Sequence, residues 1–327
     1  MYVYAGIDEA GYGPMFGPLL IGRSVFAIPK LEPGGEPPRL WQRLSKAVCR
    51  TLAKRKGRIA VNDSKKLITS AAGIRHLELG CLSFAALAGH QPERLDQWLE
   101  CLGETCHCEL DGLPWYAPGE GRPWEAVPLR ATAGEVAVAR SMLASTANRI
   151  GVEVPELAAA VVLEDRFNAM VAATRSKAAV NFTFVARHLR AIWDGYARHE
   201  PLVVVDRQSG RMRYRQVLAE NFPEAHVRVL AESPECSAYR LEAAAGAMVV
   251  RFEVEAEQAH MPVALASMVA KYTRELMMAR FNGYFAQLAP DLAPTAGYAL
   301  DAKRFWDEIA PRLRAWGLAD LPLRRMA

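Results

Sequence analysis

The stretch Tyr2-Val3-Tyr4-Ala5-Gly6-Ile7-Asp8-Glu9-Ala10-Gly11-Tyr12-Gly13-Pro14-Met15-Phe16-Gly17-Pro18-Leu19-Leu20 changes character twice. Tyr2–Asp8 is aromatic, β-branched and apolar, the composition of a short buried strand, and it ends on acid. Gly6, Gly11, Gly13 and Gly17 with Pro14 and Pro18 supply the chemistry of a tight loop. Leu19–Ile28 then reads as a second buried strand. A carboxylate at the end of an apolar strand loses its hydration on burial, so something must compensate it.

Further along, Pro29–Pro38 is a Pro/Gly linker. The spacing of Leu44, Val48 and Leu52 predicts a helix over Trp41–Lys54. A polar run, Asn62-Asp63-Ser64-Lys65-Lys66, follows. From Ile68 to Pro155 the composition shifts to Trp98, Trp115, Trp124, four of the six cysteines and many Pro and Gly residues, which reads as an insertion. Leu157–Leu163 is an expected strand, and a long helix runs through Phe182, Val185, Leu189 and Ile192. Leu202–Val205 is a second buried strand that ends on acid, at Asp206. Strands are expected around Val227–Leu230, Tyr239–Leu241 and Met248–Val254, and a helix over Val263–Met278. The class is α/β. The expected organisation is residues 1–67 and 156–327 as one catalytic unit, interrupted by an insertion at 68–155.

The 327 residues carry 40 Lys and Arg against 36 Asp and Glu, a formal net charge of +4. This permits a polyanionic partner without demanding one. With 51% hydrophobic and 23% charged residues, disordered, collagen-like and coiled-coil classes are excluded. No apolar run approaches the roughly 18 residues of a membrane span. Asp8 and Glu9 stand where a signal peptide would need its apolar core. The cysteines are sparse and irregular, as in reduced proteins. A cytoplasmic protein without a membrane partner is expected. Neither a P-loop signature nor a dinucleotide-binding Gly-rich turn is present.

Asp8, Glu9 and Asp206 end apolar strands, and Glu257 follows a third. Four carboxylates from distant segments could converge on one or two hard cations. The alternative for each is a helix cap or an Arg partner. Lys65, Ser267 and Lys271 could hold phosphates, against the alternative of a solvated helix face. Arg274 is expected to pair with Glu275 or Glu257. Cys101, Cys106, His107 and Cys108, with His90 nearby, offer soft ligands for a zinc ion, but their spacing matches no common finger and unpaired loop cysteines are the default reading. The tryptophans of the insertion are expected to form a small core of its own.

Four segments carry a family resemblance. Gly6–Pro14 with Phe16-Gly17-Pro18-Leu19 resembles the opening signature of type 2 ribonucleases H, the HII and HIII group. Asp63-Ser64-Lys65-Lys66-Leu67 is similar to its second motif, Val203-Val204-Val205-Asp206 to its third, and Ala266-Ser267-Met268-Val269-Ala270-Lys271-Tyr272-Thr273-Arg274 to the helix after its fourth acid. The resemblance implies a ribonuclease H-like mixed sheet flanked by helices that cleaves RNA in RNA/DNA hybrids or ribonucleotide-containing DNA. It implies Asp8, Glu9, Asp206 and Glu257 holding two Mg²⁺ or Mn²⁺ ions for an in-line displacement that leaves 5′-phosphate and 3′-hydroxyl ends. Where ribonuclease HII has Gly-Arg-Gly for the ribose 2′-hydroxyl, this chain has Gly11-Tyr12-Gly13. The fourth acid is aspartate in HII and glutamate in HIII; the segment around Glu257 is more like HIII. Tyr298, in Gly297-Tyr298-Ala299, matches the tyrosine that stacks on a sugar, with core packing as the alternative. Two other readings are a structure-specific DNA endonuclease of the same fold, with Tyr12 and the insertion shifting recognition, and a nucleic-acid-binding scaffold without turnover.

Overall fold

Period-two alternation along the first strand sorts its side chains onto two faces of a sheet. Tyr2 and Tyr4 enter one apolar cluster, and Val3, Ala5 and Ile7 the other. The computed structural model describes residues 1–103, 110, 112–119, 121–207 and 210–326. The strands are β1 (Tyr2–Ala10), β2 (Leu19–Ile28), β3 (Val48–Cys49), β4 (Ile59–Ala60), β5 (Glu153–Val162), β6 (Leu202–Asp206), β7 (His226–Glu232), β8 (Cys236–Ala243) and β9 (Gly246–Glu253). The helices are α1 (Leu40–Arg43), α2 (Arg75–Leu87), α3 (Leu95–Cys101), α4 (Ala133–Ile150), α5 (Glu164–Thr174), α6 (Lys177–Tyr196), α7 (Arg215–Asn221), α8 (Met261–Leu288) and α9 (Ala299–Ile309).

Seven strands form one mixed sheet in the order β5-β2-β1-β6-β9-β8-β7. The pairs β1/β6 and β6/β9 are parallel and the others antiparallel. This is the α/β mixed sheet flanked by helices that the sequence implies. Phe167 of α5 and Phe184 and Leu189 of α6 cover one face. On the other lies α8, buried nearly all round, as a helix apolar on every side must be. It rests directly on strand backbone: a Cβ on Gly6 would stand 2.1 Å from Val263 N, and one on Gly22 2.3 Å from Ala266 O. Ser24 Oγ donates to Pro262 O at 2.8 Å. Among the described residues no helix is long and apolar enough to cross a membrane.

Trp98, Trp115 and Trp124, from the segment read as an insertion, buttress the outer side of α8. Trp98 Nε1 donates to Thr273 Oγ1 at 2.9 Å, and Trp115 stacks on Phe285. Both tryptophans belong to the large cluster of β1, β2 and α8, which corrects the expectation of a small separate core. The apolar residues of α8 at Tyr272, Phe281 and Phe285 need covering, and these rings do it. The expected helix over Trp41–Lys54 also fails. The segment forms α1, then β3, then a 3₁₀ turn at Leu52–Lys54. Val48 and Cys49 pair in parallel with Ile59 and Ala60. The spacing that suggested a helix is met by a turn and a strand that bury Leu44 and Val48, and the β-branched pair Val48/Ile59 favours the ladder. α8 runs ten residues beyond Met278, since Gly283 leaves the space that Trp124 fills. β5 begins at Glu153, and Pro155 is tolerated there because β5 is an edge strand.

Candidate active site

The parallel register of β1 and β6 pairs Ile7 with Val205, so Asp8 and Asp206 are the next residues out on neighbouring strand ends. Alternation puts both on the α8 side, the face of Tyr4 and Val204. Asp206 is in turn level with Glu253 at the end of β9. From there the chain passes through a 3₁₀ turn, Ala256–Gln258, into α8, and this turn carries Glu257. Carboxylates from three parallel strand ends thus reach one place, the usual ligand position in open α/β sheets.

A cleft of about 460 Å³ opens there, lined by Asp8, Glu9, Gly11, Tyr12, Gly13, Lys65, Asp206, Glu257, Ser267, Lys271 and Tyr298. All the site residues singled out in the sequence border it, together with Asp63 and Ser64. Asp8 is buried. Its carboxyl is held well above the usual range, first by burial, then by Glu9 and, less, by Glu257, against hydrogen bonds from Ser267 and from the Glu9 N–H (2.7 Å). Asp206 is pushed up to about 8 by burial, then by Asp8, with Glu257 adding to it; a 2.8 Å bond from Ala256 N opposes the rise. Burial and mutual repulsion both oppose charge on Asp8 and Asp206, and a cation beside them would relieve both.

The rest of the lining includes basic and hydroxylic side chains. Asp63 caps the turn Ser64–Leu67 by accepting from Lys65 N at 3.0 Å, which sets Lys65 into the cleft, while Lys66 pairs with Asp63. The Ser267 and Ser64 hydroxyls are hydrogen-bonded to each other at 3.1 Å, Ser64 being the donor when Ser267 donates to Asp8. Lys271 pairs with Glu275. Tyr298 is 40% exposed, so it is not a core residue, and Lys271 Nζ lies 5.9 Å from its ring centroid. Gly11, at φ +82°, is demanded by the fold: a Cβ there would stand 2.6 Å from Pro18 O. A Cβ on Gly13 would meet nothing within 4 Å, so that backbone is open to a ligand.

Sequence reasoning missed Arg274. It pairs with neither Glu275 nor Glu257. Fully buried, it donates through Nη2 to Phe16 O (2.9 Å) and Ala296 O (3.1 Å), and its guanidinium stands 4.8 Å from the Tyr298 ring centroid. The side chain ties the Gly-rich loop to the segment that carries Tyr298. Glu164 was missed as well. It accepts from Gly17 N (2.9 Å) and the Tyr116 hydroxyl (2.8 Å), and burial lifts its carboxyl to about 7. The signal was present in the sequence, since Leu157–Leu163 is another apolar strand that runs into acid. Of the zinc candidates, Cys101 is a free half-buried thiol and His90 is exposed. Cys106, His107 and Cys108 lie outside the described residues.

Among the described residues no three His, Cys, Asp or Glu side chains already stand in the arrangement that holds a metal ion. The fit to one lies in charge and donor type. Asp8, Glu9, Asp206 and Glu257 offer only oxygen, the donor set of Mg²⁺ or Mn²⁺, and the raised carboxyls of Asp8 and Asp206 mark a deficit of positive charge.

No protein-family model matches the chain, and no curated protein matches it. Solved structures do. The chain is similar to ribonucleases of the HII, H2 and HIII kinds. The PCNA:RNase HII complex from Archaeoglobus fulgidus matches at 16% identity and a TM-score of 0.41, covering 99% of this chain and 94% of that one. Ribonuclease H2 from Pyrococcus horikoshii OT3 matches at 15% and 0.42, covering 99% and 92%. Bst-RNase HIII in complex with Mn²⁺ matches at 14% and 0.43, covering 99% of this chain and 66% of that one.

Proposed function

We propose that the protein is a divalent-metal-dependent endoribonuclease that hydrolyses the RNA strand of RNA/DNA hybrids, leaving 5′-phosphate and 3′-hydroxyl ends. The observation that carries this reading is the meeting of Asp8, Asp206 and Glu257 in one cleft, with Asp8 and Asp206 held above the usual carboxylate range and Lys65, Ser267 and Lys271 in the same lining. Asp8, Glu9, Asp206 and Glu257 would hold two Mg²⁺ or Mn²⁺ ions, which when bound supply Lewis-acid charge for activating water and stabilising a leaving oxygen. Lys65 and Lys271 attract the phosphates as compact cations, and the Ser267 hydroxyl orients Asp8. The open backbone at Gly13 lets a ribose approach without a Cβ in the way. Tyr298 offers an exposed ring face to a sugar or base. In this reading Tyr12, between the two glycines, replaces a cation with a ring, so strand recognition rests on backbone contacts.

The test uses purified protein with Mg²⁺ or Mn²⁺ and labelled substrates: an RNA/DNA hybrid, a duplex with one embedded ribonucleotide, all-DNA duplex and branched DNA. The expected result is cleavage of the hybrid, abolished in Asp8→Asn and Asp206→Asn. Full cleavage by either variant would reject the assignment, and preferential cutting of branched DNA would move the activity to a structure-specific DNA endonuclease.

A further inference from the structure

Beyond the turn Ala256–Gln258 lies a second and larger cavity, of about 800 Å³, between β1, the segment 34–42 and the start of α8. Tyr4 and His260 form its floor: the Tyr4 hydroxyl is hydrogen-bonded to His260 Nδ1, and His260 Nε2 to Glu253 Oε2 at 2.8 Å. Arg39, Arg50 and Arg251 line it, against a single acid, Glu36. Arg251 has Glu253 at 3.8 Å, but Arg39 and Arg50 have no carboxylate within ion-pair distance among the described residues. Arg50 is held in place before any ligand arrives. Its guanidinium stands 4.6 Å from the centroid of the Trp41 ring and donates to Gln258 O, and Trp41 is itself fixed by Nε1 donating to Val61 O at 2.9 Å. Several guanidinium donors remain for an anion.

This cavity and the cleft have no lining residue in common, but their linings stand two residues apart in the chain at the Glu257 turn. Glu257 lines the cleft, and Ala259 and His260 line the cavity. Three residues of chain span at most about 10 Å, so both sides lie within reach of one polynucleotide strand. We infer that the arginine-lined cavity binds the phosphodiester backbone of the nucleic-acid strand on the far side of the Glu257 turn from the cleaved bond. The inference rests on the nuclease reading of the cleft. Arg39 and Arg50 without an acid partner, the fixed guanidinium of Arg50 and closeness to the cleft all favour a polyanion that extends past the site of reaction. The arginines act on binding and take no part in the chemistry.

The test measures fluorescence anisotropy of 5′-labelled RNA/DNA hybrids of 8 and 24 base pairs in EDTA, which separates binding from cleavage. The proteins are wild type, an Arg39→Ala/Arg50→Ala/Arg251→Ala variant and the corresponding Arg→Lys variant. The alanine variant should bind the 24-mer about tenfold more weakly at 0.1 M salt, with a shallower salt dependence by two to three contacts, roughly one per cation removed. The 8-mer should be little affected, and the lysine variant should recover most of the loss. Unchanged folding is checked by thermal unfolding. Equal binding of the 24-mer by alanine variant and wild type overturns this inference and leaves the nuclease reading standing if wild type still cleaves. Failure of wild type to bind the 24-mer overturns this inference, and failure of wild type to cleave it with Mg²⁺ or Mn²⁺ overturns the nuclease reading. Saturable binding of AMP that is lost in the alanine variant, with hybrid binding unchanged, would assign the cavity to a free nucleotide and overturn the strand assignment.

Discussion

Two regions on opposite sides of α8 bury carboxylates, and they do so differently. On the outer side, Glu78 is fully buried and accepts from the backbone N–H groups of Leu129 (2.6 Å), Arg130 (2.9 Å) and Ala131 (2.6 Å). Nearby, Arg280 pairs with Asp96 at 2.8 Å and with Glu125. Each acid there has its counter-charge or its donors supplied by the protein. On the sheet side, Asp8 and Asp206 face each other and Glu257, and burial with mutual repulsion raises the first two. Satisfied acids hold a fold together, whereas acids left in repulsion mark a place kept for something else.

The contrast is broken most severely by exchanging the expected phenotypes. Glu125→Ala leaves Arg280 buried with half its compensation and should lower unfolding free energy by about 3–5 kcal/mol in urea titrations. Hybrid cleavage per folded molecule should be unchanged. If activity fell and stability did not, the outer cluster would not be structural. Asp8→Asn should do the reverse: hybrid cleavage falls more than about 100-fold, the upper range for changes around metal ligands, while Tm measured in EDTA stays level or rises because a repulsive pair is gone. A marked loss of Tm would show that Asp8 serves the fold.

Metal sharpens the same contrast. If the cleft takes Mn²⁺, an excess 100 times Kd stabilises wild type by about 2.7 kcal/mol. Asp206→Asn should lose most of that gain and Glu78→Gln none of it, as read by thermal unfolding with and without the ion. An equal gain in the Asp206→Asn variant would place the ion elsewhere. The smallest effect concerns Glu164 behind the Gly-rich loop. Its carboxyl titrates near 7, above its ordinary value of 4.5, so the folded state holds the extra proton between those limits. Stability from this group is therefore lost as pH rises from about 4.5 to 7. Glu164→Gln should remove that slope, its Tm improving relative to wild type between pH 5 and pH 8. An identical slope in the variant would assign the titration to another group.

Much of the site was legible in the sequence because acids at the ends of apolar strands are costly wherever they occur. Asp8, Glu9, Asp206 and Glu257 stand out by that cost as a set beside a Gly-rich loop, not one at a time, and Lys65 and Ser267 by the motifs around them. Arg274 was not legible. Next to Glu275 on a helix it reads as half of a local ion pair, yet that acid goes to Lys271, and the guanidinium reaches carbonyls at Phe16 and Ala296. The segment from Trp41 to Lys54 misled for a related reason: helical spacing of apolar residues states which ones are to be buried, not in what geometry.

Local chemistry in the chain was enough to determine which strands are buried, where the acids sit at their ends and where glycine allows a sharp turn. These follow from hydration cost and backbone sterics, which act residue by residue. The tertiary structure decided which strand ends are neighbours, through the parallel register of β1, β6 and β9, and how closely α8 lies on the sheet, through Gly6 and Gly22. It also decided that Trp98 and Trp115 cover α8. Such outcomes depend on contacts between segments about two hundred residues apart or more, where no local preference chooses and the best burial of the whole chain does.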